Sequence, residues 1–222
     1  MTTFTEGRHP GEFLMSEANG FRSREKGIIL SGSGIVIPGT ILGLVSVGAA
    51  SVAAKAGGNT GTGLLTIDAT TPLLDGVMPG VYTVRCITAA TDGGTFRVED
   101  PTGDVLGDVA VGATFSDEVK FAIADGGTDF IVGDGFNITV AVGSKKYAPS
   151  PNVLVQAIAG AETAVAINLY GVDATAADVE VAVFVRDIEV NKSKLVYEST
   201  VNDANKKALK IAQLAAVGII AR

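Results

Sequence analysis

Few residues in this chain could do chemistry. It holds one histidine, His9, and one cysteine, Cys86. One of each cannot build a zinc site or a histidine-based triad, and a lone cysteine excludes an internal disulfide. Cys86 alternates with Tyr82, Val84 and Thr88 on an expected strand, so it reads as a small packed side chain rather than a nucleophile. Asp187 and Glu189 are a carboxylate pair, but with no histidine or lysine cluster beside them they read as surface residues. The turns Asp92-Gly93-Gly94, Asp125-Gly126-Gly127 and Gly133-Asp134-Gly135 invite a calcium reading. None has the sixth-position glycine and twelfth-position glutamate of an EF-hand loop, and aspartate is an ordinary turn residue. No G-x-x-x-x-G-K-[ST] occurs, and no G-x-G-x-x-G opens a helix. The expectation is therefore no catalysis, no cofactor and no metal.

What remains is binding, and the first 26 residues are the candidate. The run Thr5 to Glu25 has no apolar periodicity. Glu6, Glu12, Glu17 and Glu25 balance Arg8, Arg22, Arg24 and Lys26. Phe4, Phe13 and Leu14 are its few apolar anchors. Such a segment cannot bury enough surface to fold on itself, so it is expected to become ordered on a partner. The candidate contact residues are Phe4, Thr5, Glu6, Arg8, Phe13, Leu14, Arg22 and Arg24. Glu6, Arg8 and Glu12 also interrupt any apolar leader, so no secretory signal is expected.

The elements around this segment divide by charge. Residues 57–144 carry three basic and twelve acidic residues, net −9, against a whole-chain −7. That concentration points to a separate, solvated module. Within it Val81 to Thr88, Phe96 to Val98, Val119 to Ile123 and Phe136 to Val142 alternate with period two, separated by Asp/Gly turns. Short strands at this spacing indicate a small β-sandwich or barrel. Gly57 to Gly63 reads as its leading linker. Residues 27–56 and 145–222 then form one body interrupted by the module. The apolar run Gly27 to Ala54 is broken by Ser31-Gly32-Ser33-Gly34 and Pro38-Gly39, so it reads as short strands, not a membrane span. Val179 to Arg186 is apolar on both faces and reads as a central strand, with Ala164 to Leu169 as its neighbour. After Asn202 or Asp203 as cap, Ala204, Ala208, Ile211 and Ala215 form a helical stripe. Lys206, Lys207 and Lys210 fall off it as a solvated face, and Gly218 ends the helix. Three lysines on such a helix do not argue for nucleic acid.

The segment Thr5 to Glu25 closely resembles the N-terminal arm of lambda-type phage head decoration proteins. The resemblance continues in Leu30-Ser31-Gly32-Ser33-Gly34, Pro38 to Gly43, Val172 to Thr175, Asp178 to Asp187 and Leu214 to Ile220. It covers 5–45 and roughly 145–222, in the right order at both ends. The segment 57–144 is the departure, and looks like the β-rich insertions of larger relatives. The resemblance implies a mainly β fold, with a β-clip-like body, one C-terminal helix and an inserted small β-sandwich or barrel. It implies a homotrimer bound to the major capsid protein on the outer surface of the expanded head, assembled in the host cytoplasm and cementing the shell. It implies that residues 1–26 add a strand to the capsid protein, with Phe13 and Leu14 in alternate pockets and Arg8, Arg22 and Arg24 pairing carboxylates. No nucleic-acid or membrane partner is expected. The alternative is a cell-surface or carbohydrate-binding β module in which the insert is active, against which the insert offers no Trp and one Tyr.

Overall fold

The structure is a computed structural model that describes residues 6–222. Strands take 44% of the residues against a single α-helix near the C-terminus, so the chain is mainly β, as expected. It divides into two compact units, 1–45 with 145–222, and 46–144. The division falls at Ser46, not at residue 57. The first strand after it already belongs to the inserted unit.

The first unit begins with β1 (Leu14–Glu17), β2 (Arg24–Ile29), β3 (Gly34–Val36) and β4 (Ile41–Leu44). The inserted unit holds β5 (Val47–Ala54), β6 (Leu64–Ile67), β7 (Gly80–Ala90), β8 (Gly93–Glu99), β9 (Val105–Ala110), β10 (Thr114–Ser116), β11 (Lys120–Ala124) and β12 (Gly135–Val142). The first unit resumes with β13 (Tyr147–Pro149), β14 (Ala164–Asn168), β15 (Val172–Ala174), β16 (Val179–Phe184), β17 (Ile188–Val190), α1 (Ala204–Ala216) and β18 (Ile219–Ala221).

In the first unit β13, β2, β16, β14 and β4 close into a barrel. Its strands feed two cores. Leu42, Ala166, Val181 and Val183 fill one cluster with Ile29. Their chain neighbours Ile41, Ile167, Ala182 and Phe184 pack in a second cluster with Phe13, Val190, Leu195, Leu214 and Ile219. Successive strand side chains point to opposite faces, which is why 179–184 is apolar throughout. Gly43 permits a close crossing: a Cβ there would lie 1.9 Å from the Ala161 carbonyl oxygen. The second core is covered by α1 and by the sheet β1-β17-β18, in which β1 runs antiparallel and β18 parallel to β17.

Helix α1 is capped by Asp203, whose carboxylate accepts the Lys206 N–H at 2.9 Å, and Gly218 follows it at φ 83°. Its buried face differs from the expected one. Ala204, Ala208 and Ala215 are exposed, while Lys210 and Leu214 are buried. Lys210 is not on a solvated face. Its ammonium donates to Ser150 Oγ at 3.0 Å, to the Pro151 carbonyl at 2.6 Å and to the Glu162 carbonyl. Three oxygen acceptors make burial of this cation tolerable.

The inserted unit has a five-stranded sheet, β5-β12-β7-β8-β9, and a three-stranded sheet, β10-β11-β6. Tyr82, Val84, Phe96 and Ile138 on one, and Phe121 and Ile123 on the other, are buried. Residues 57–63 are not a loose linker throughout. The Asp134 carboxylate, 2% exposed, accepts the N–H groups of Thr60 and Gly61 at 2.9 Å each and of Ile131 at 3.1 Å. Burial pushes its pKa up, but these backbone donors outweigh that and hold it below the usual range. Gly63 lies against the Phe130 ring, where a Cβ would approach to 2.5 Å.

The chain leaves and rejoins the first unit at one place. Val45 N–H donates to the Lys146 carbonyl, and Lys145 N–H to the Val45 carbonyl, both at 2.9 Å. Replacing 46–144 by a two-residue Gly-containing turn, long enough for antiparallel neighbours, should leave the first unit folded. A cooperative melt of this variant within about 2 kcal/mol of the parent transition is expected. A molten species without a cooperative melt would show that the first unit depends on the insert.

Candidate functional site

The N-terminal segment is built onto the first unit from residue 13 onward. The Phe13 ring is fully buried and meets Phe184 edge-on, with centroids 5.9 Å apart. Its carbonyl accepts the Asn191 N–H at 2.7 Å. Leu14 pairs with Val190 across β1 and β17 and packs on the same core. Arg22 reaches Asp187 at 3.0 Å. Arg24 binds the Glu17 carboxylate through Nε at 2.7 Å and stands 5.2 Å over the Phe184 ring. Ser23, buried, donates to the same carboxylate. Arg8 donates to the Lys194 carbonyl and lies 3.7 Å from Glu12. Glu6 is exposed and pairs with His9 at 3.0 Å. Phe4 and Thr5 lie outside the described residues.

Of the eight candidate contact residues, Phe13, Leu14, Arg22 and Arg24 are thus engaged by their own chain. Phe13 does not extend into a partner's pocket; it fills a core that would otherwise hold a void. The segment that reaches no core among the described residues ends at Glu12. β1 is an edge of its sheet and turns Met15 outward, 57% exposed. The sequence gives little sign of this docking, because β17 and Asn191 lie far along the chain and Phe13 and Leu14 stand alone among charges.

The Glu17 cluster has a measurable consequence. Hydrogen bonding to Arg24 first, and to Ser23 as well, holds its carboxyl below the usual glutamate range against the opposing effect of burial. A lowered folded-state pKa contributes stability that is present above the unfolded value and is lost as pH falls through the folded one. Glu17→Gln should therefore cost about 1 kcal/mol at neutral pH and nothing at strongly acid pH. Melts of parent and variant should converge as pH drops below about 4. A gap that persists in acid would place the effect in packing instead.

The residues with catalytic types do not converge. Asp187 is bound to Arg22, and Glu189 to Arg222 at 2.6 Å and Ser16 at 3.1 Å. Cys86 is buried, and burial raises its thiol pKa. Asp92, Asp125 and Asp129 bring carboxylate oxygens within 4.8 Å of one another, all exposed. Asp92 N–H donates to Asp129 at 3.0 Å, as turn residues do. Every aromatic ring in 46–144 is buried: Tyr82, Phe96, Phe115, Phe121, Phe130 and Phe136. The unit therefore offers no aromatic platform for sugar stacking. No described helix is long and apolar enough to cross a membrane.

No curated protein matches the chain. Two crystal structures of Xanthomonas campestris FlgL align with a TM-score of 0.31 each. Identity is 27% and 26%, over 50% and 46% of this chain and 34% and 33% of those chains. The chain thus spans about a third of their length, and an alignment this loose does not bear on its fold or role. The family comparison is of another order. A docked N-terminal segment, a barrel and a C-terminal helix flank the insert, and one family model runs across all of them, matching residues 3–219; the chain belongs to the bacteriophage lambda head decoration protein D family.

Proposed function

We propose that this protein binds the outer surface of the expanded phage head as a trimer, through the major capsid protein, and stabilises the shell. Membership of a head decoration family carries the coarse role, a structural component of the phage capsid. The finer reading rests on one observation: residues 6–12 lie at the surface and reach no core before Phe13. In this reading residues 1–12, with Phe4, Thr5, Glu6 and Arg8, are the capsid contact and add a strand to an edge of the capsid protein. Phe13, Leu14, Arg22 and Arg24 act at one remove. They anchor the segment, so that fewer residues must be ordered on binding.

Stabilisation follows from mass action. A ligand that binds the intact shell and not its dissociated subunits stabilises it by about 3 kcal/mol at a hundredfold excess over Kd. Three segments per trimer raise the effective concentration of each. Removing residues 1–12 should weaken sedimentation with expanded heads by about a hundredfold or more. The melt of the protein should not change, because the lost contacts are surface ones. Undiminished binding would overturn the assignment of this segment.

A further inference from the structure

The edges of the inserted unit are not alike. β10 and β6 are short, three and four residues. β9 carries Asp108 and is irregular where Val98 and Glu99 meet it. These are the usual devices that prevent strand edges from pairing. β5 has none of them. Its eight residues, Val-Gly-Ala-Ala-Ser-Val-Ala-Ala, include no charge and no proline. One side pairs with β12 in regular register from Ala50 to Ala54, and the other side is a free edge of the sheet.

The core is also open along this edge. Val52 lies opposite Ile138, which is fully buried, yet Val52 is 38% exposed. A groove of about 420 Å³ runs beside it, lined by Val52, Ala54, Gly63, Leu64 and Phe136. Leu64 on its far rim is 68% exposed. A further strand laid along β5 would complete the ladder and cover this groove.

We propose that the occupant is β5 of a second copy, paired antiparallel to give one sheet continuous through two inserted units. This does not rest on the capsid reading. Two features favour a second copy. The strand is self-compatible: laid antiparallel on itself about Ala50 and Ser51, it sets no charge against a like charge and only small side chains in the seam. A two-fold contact then satisfies both free edges at once. Its size also fits. An eight-residue strand is about 26 Å long, so pairing buries well under the roughly 1,000 Å² of a stable interface. The contact is therefore weak in dilute solution and forms where copies are crowded side by side. The units that meet carry four basic and twelve acidic residues each, net −8. Their repulsion is screened by salt, so the pairing strengthens as salt rises. A basic strand from another protein would show the opposite dependence.

The test is a single-cysteine scan of the full chain at Ala49, Ala50, Ser51 and Val52, with the exposed Ala177→Cys in the other unit as control. Native Cys86 is buried and stays in place. Under mild oxidation at high protein concentration, disulfide dimers should form at the positions nearest the two-fold axis, well above the control, and more in high salt than in low. Adding Ala53→Lys, on the outer face, or Val52→Lys should abolish them while the melt stays cooperative. Cross-linking no higher than at residue 177, or falling with salt, or persisting in both lysine variants, overturns the proposal.

Discussion

Phe13→Ala should destabilise the first unit by about 3–5 kcal/mol, the cost of emptying a buried phenylalanine site. The ring is fully buried, meets Phe184 edge-on, and sits among Leu169, Val190, Leu195 and Leu214. Those neighbours belong to the barrel, to β17 and to α1, so the void cannot close by moving one of them alone. Against a total stability of about 5–15 kcal/mol, the loss should lower the melting temperature by on the order of 10 °C. The transition of the inserted unit should not move. Head binding should fall only in proportion to the unfolded fraction. A variant that melts like the parent but no longer binds heads would mean that Phe13 leaves the core to contact the capsid. That result would restore the longer arm, 1–26, suggested by the sequence.

Lys210→Met should cost about 2–4 kcal/mol, although methionine is apolar and of similar length. The ammonium serves Ser150 Oγ, the Pro151 carbonyl and the Glu162 carbonyl, and methionine would leave all three without this donor. Lys210→Ala should cost more, since it adds a cavity. Burial lowers the lysine pKa, against the opposing pull of Glu162 and Glu198. The unfolded chain therefore holds this proton at a pH where the folded chain has released it. By linkage the parent gains stability as pH rises between the lowered value and the ordinary lysine value, and Lys210→Met should lack that gain. Denaturant titrations at neutral and alkaline pH measure both effects. A variant more stable than the parent at neutral pH would mean that desolvating the ammonium outweighs its three bonds.

Much of the architecture was legible where one physical signal dominated. The strand 179–184 announced itself because a strand between two cores must be apolar on both faces, and Val181 and Phe184 do enter different cores. The cap at Asp203 and the stop at Gly218 were legible because helix ends need specific partners. The N-terminal segment was not. A lone Phe13 between glutamates carries no periodicity, and the groove that receives it is made by strands far along the chain. Lys210 was misplaced because sequence patterning sorts residues by type, whereas burial of a cation depends on oxygens supplied from residues 150, 151 and 162. The glycines at 57–63 were read as looseness. Gly61 and Gly63 are there for the opposite reason, since a Phe130 ring leaves no room for a Cβ at either. The lack of a catalytic cluster, by contrast, followed from counting residue types.

The central claim is that the protein recognises and reinforces an assembled shell. The direct measurement adds the full chain to undecorated heads, expanded and unexpanded, and follows bound protein by sedimentation and shell disruption by heat. The account predicts saturable binding to expanded heads, little to unexpanded ones, and a disruption temperature that rises with occupancy and levels off at saturation. Equal binding to both forms, or saturation of expanded heads with no gain in their heat resistance, would contradict it.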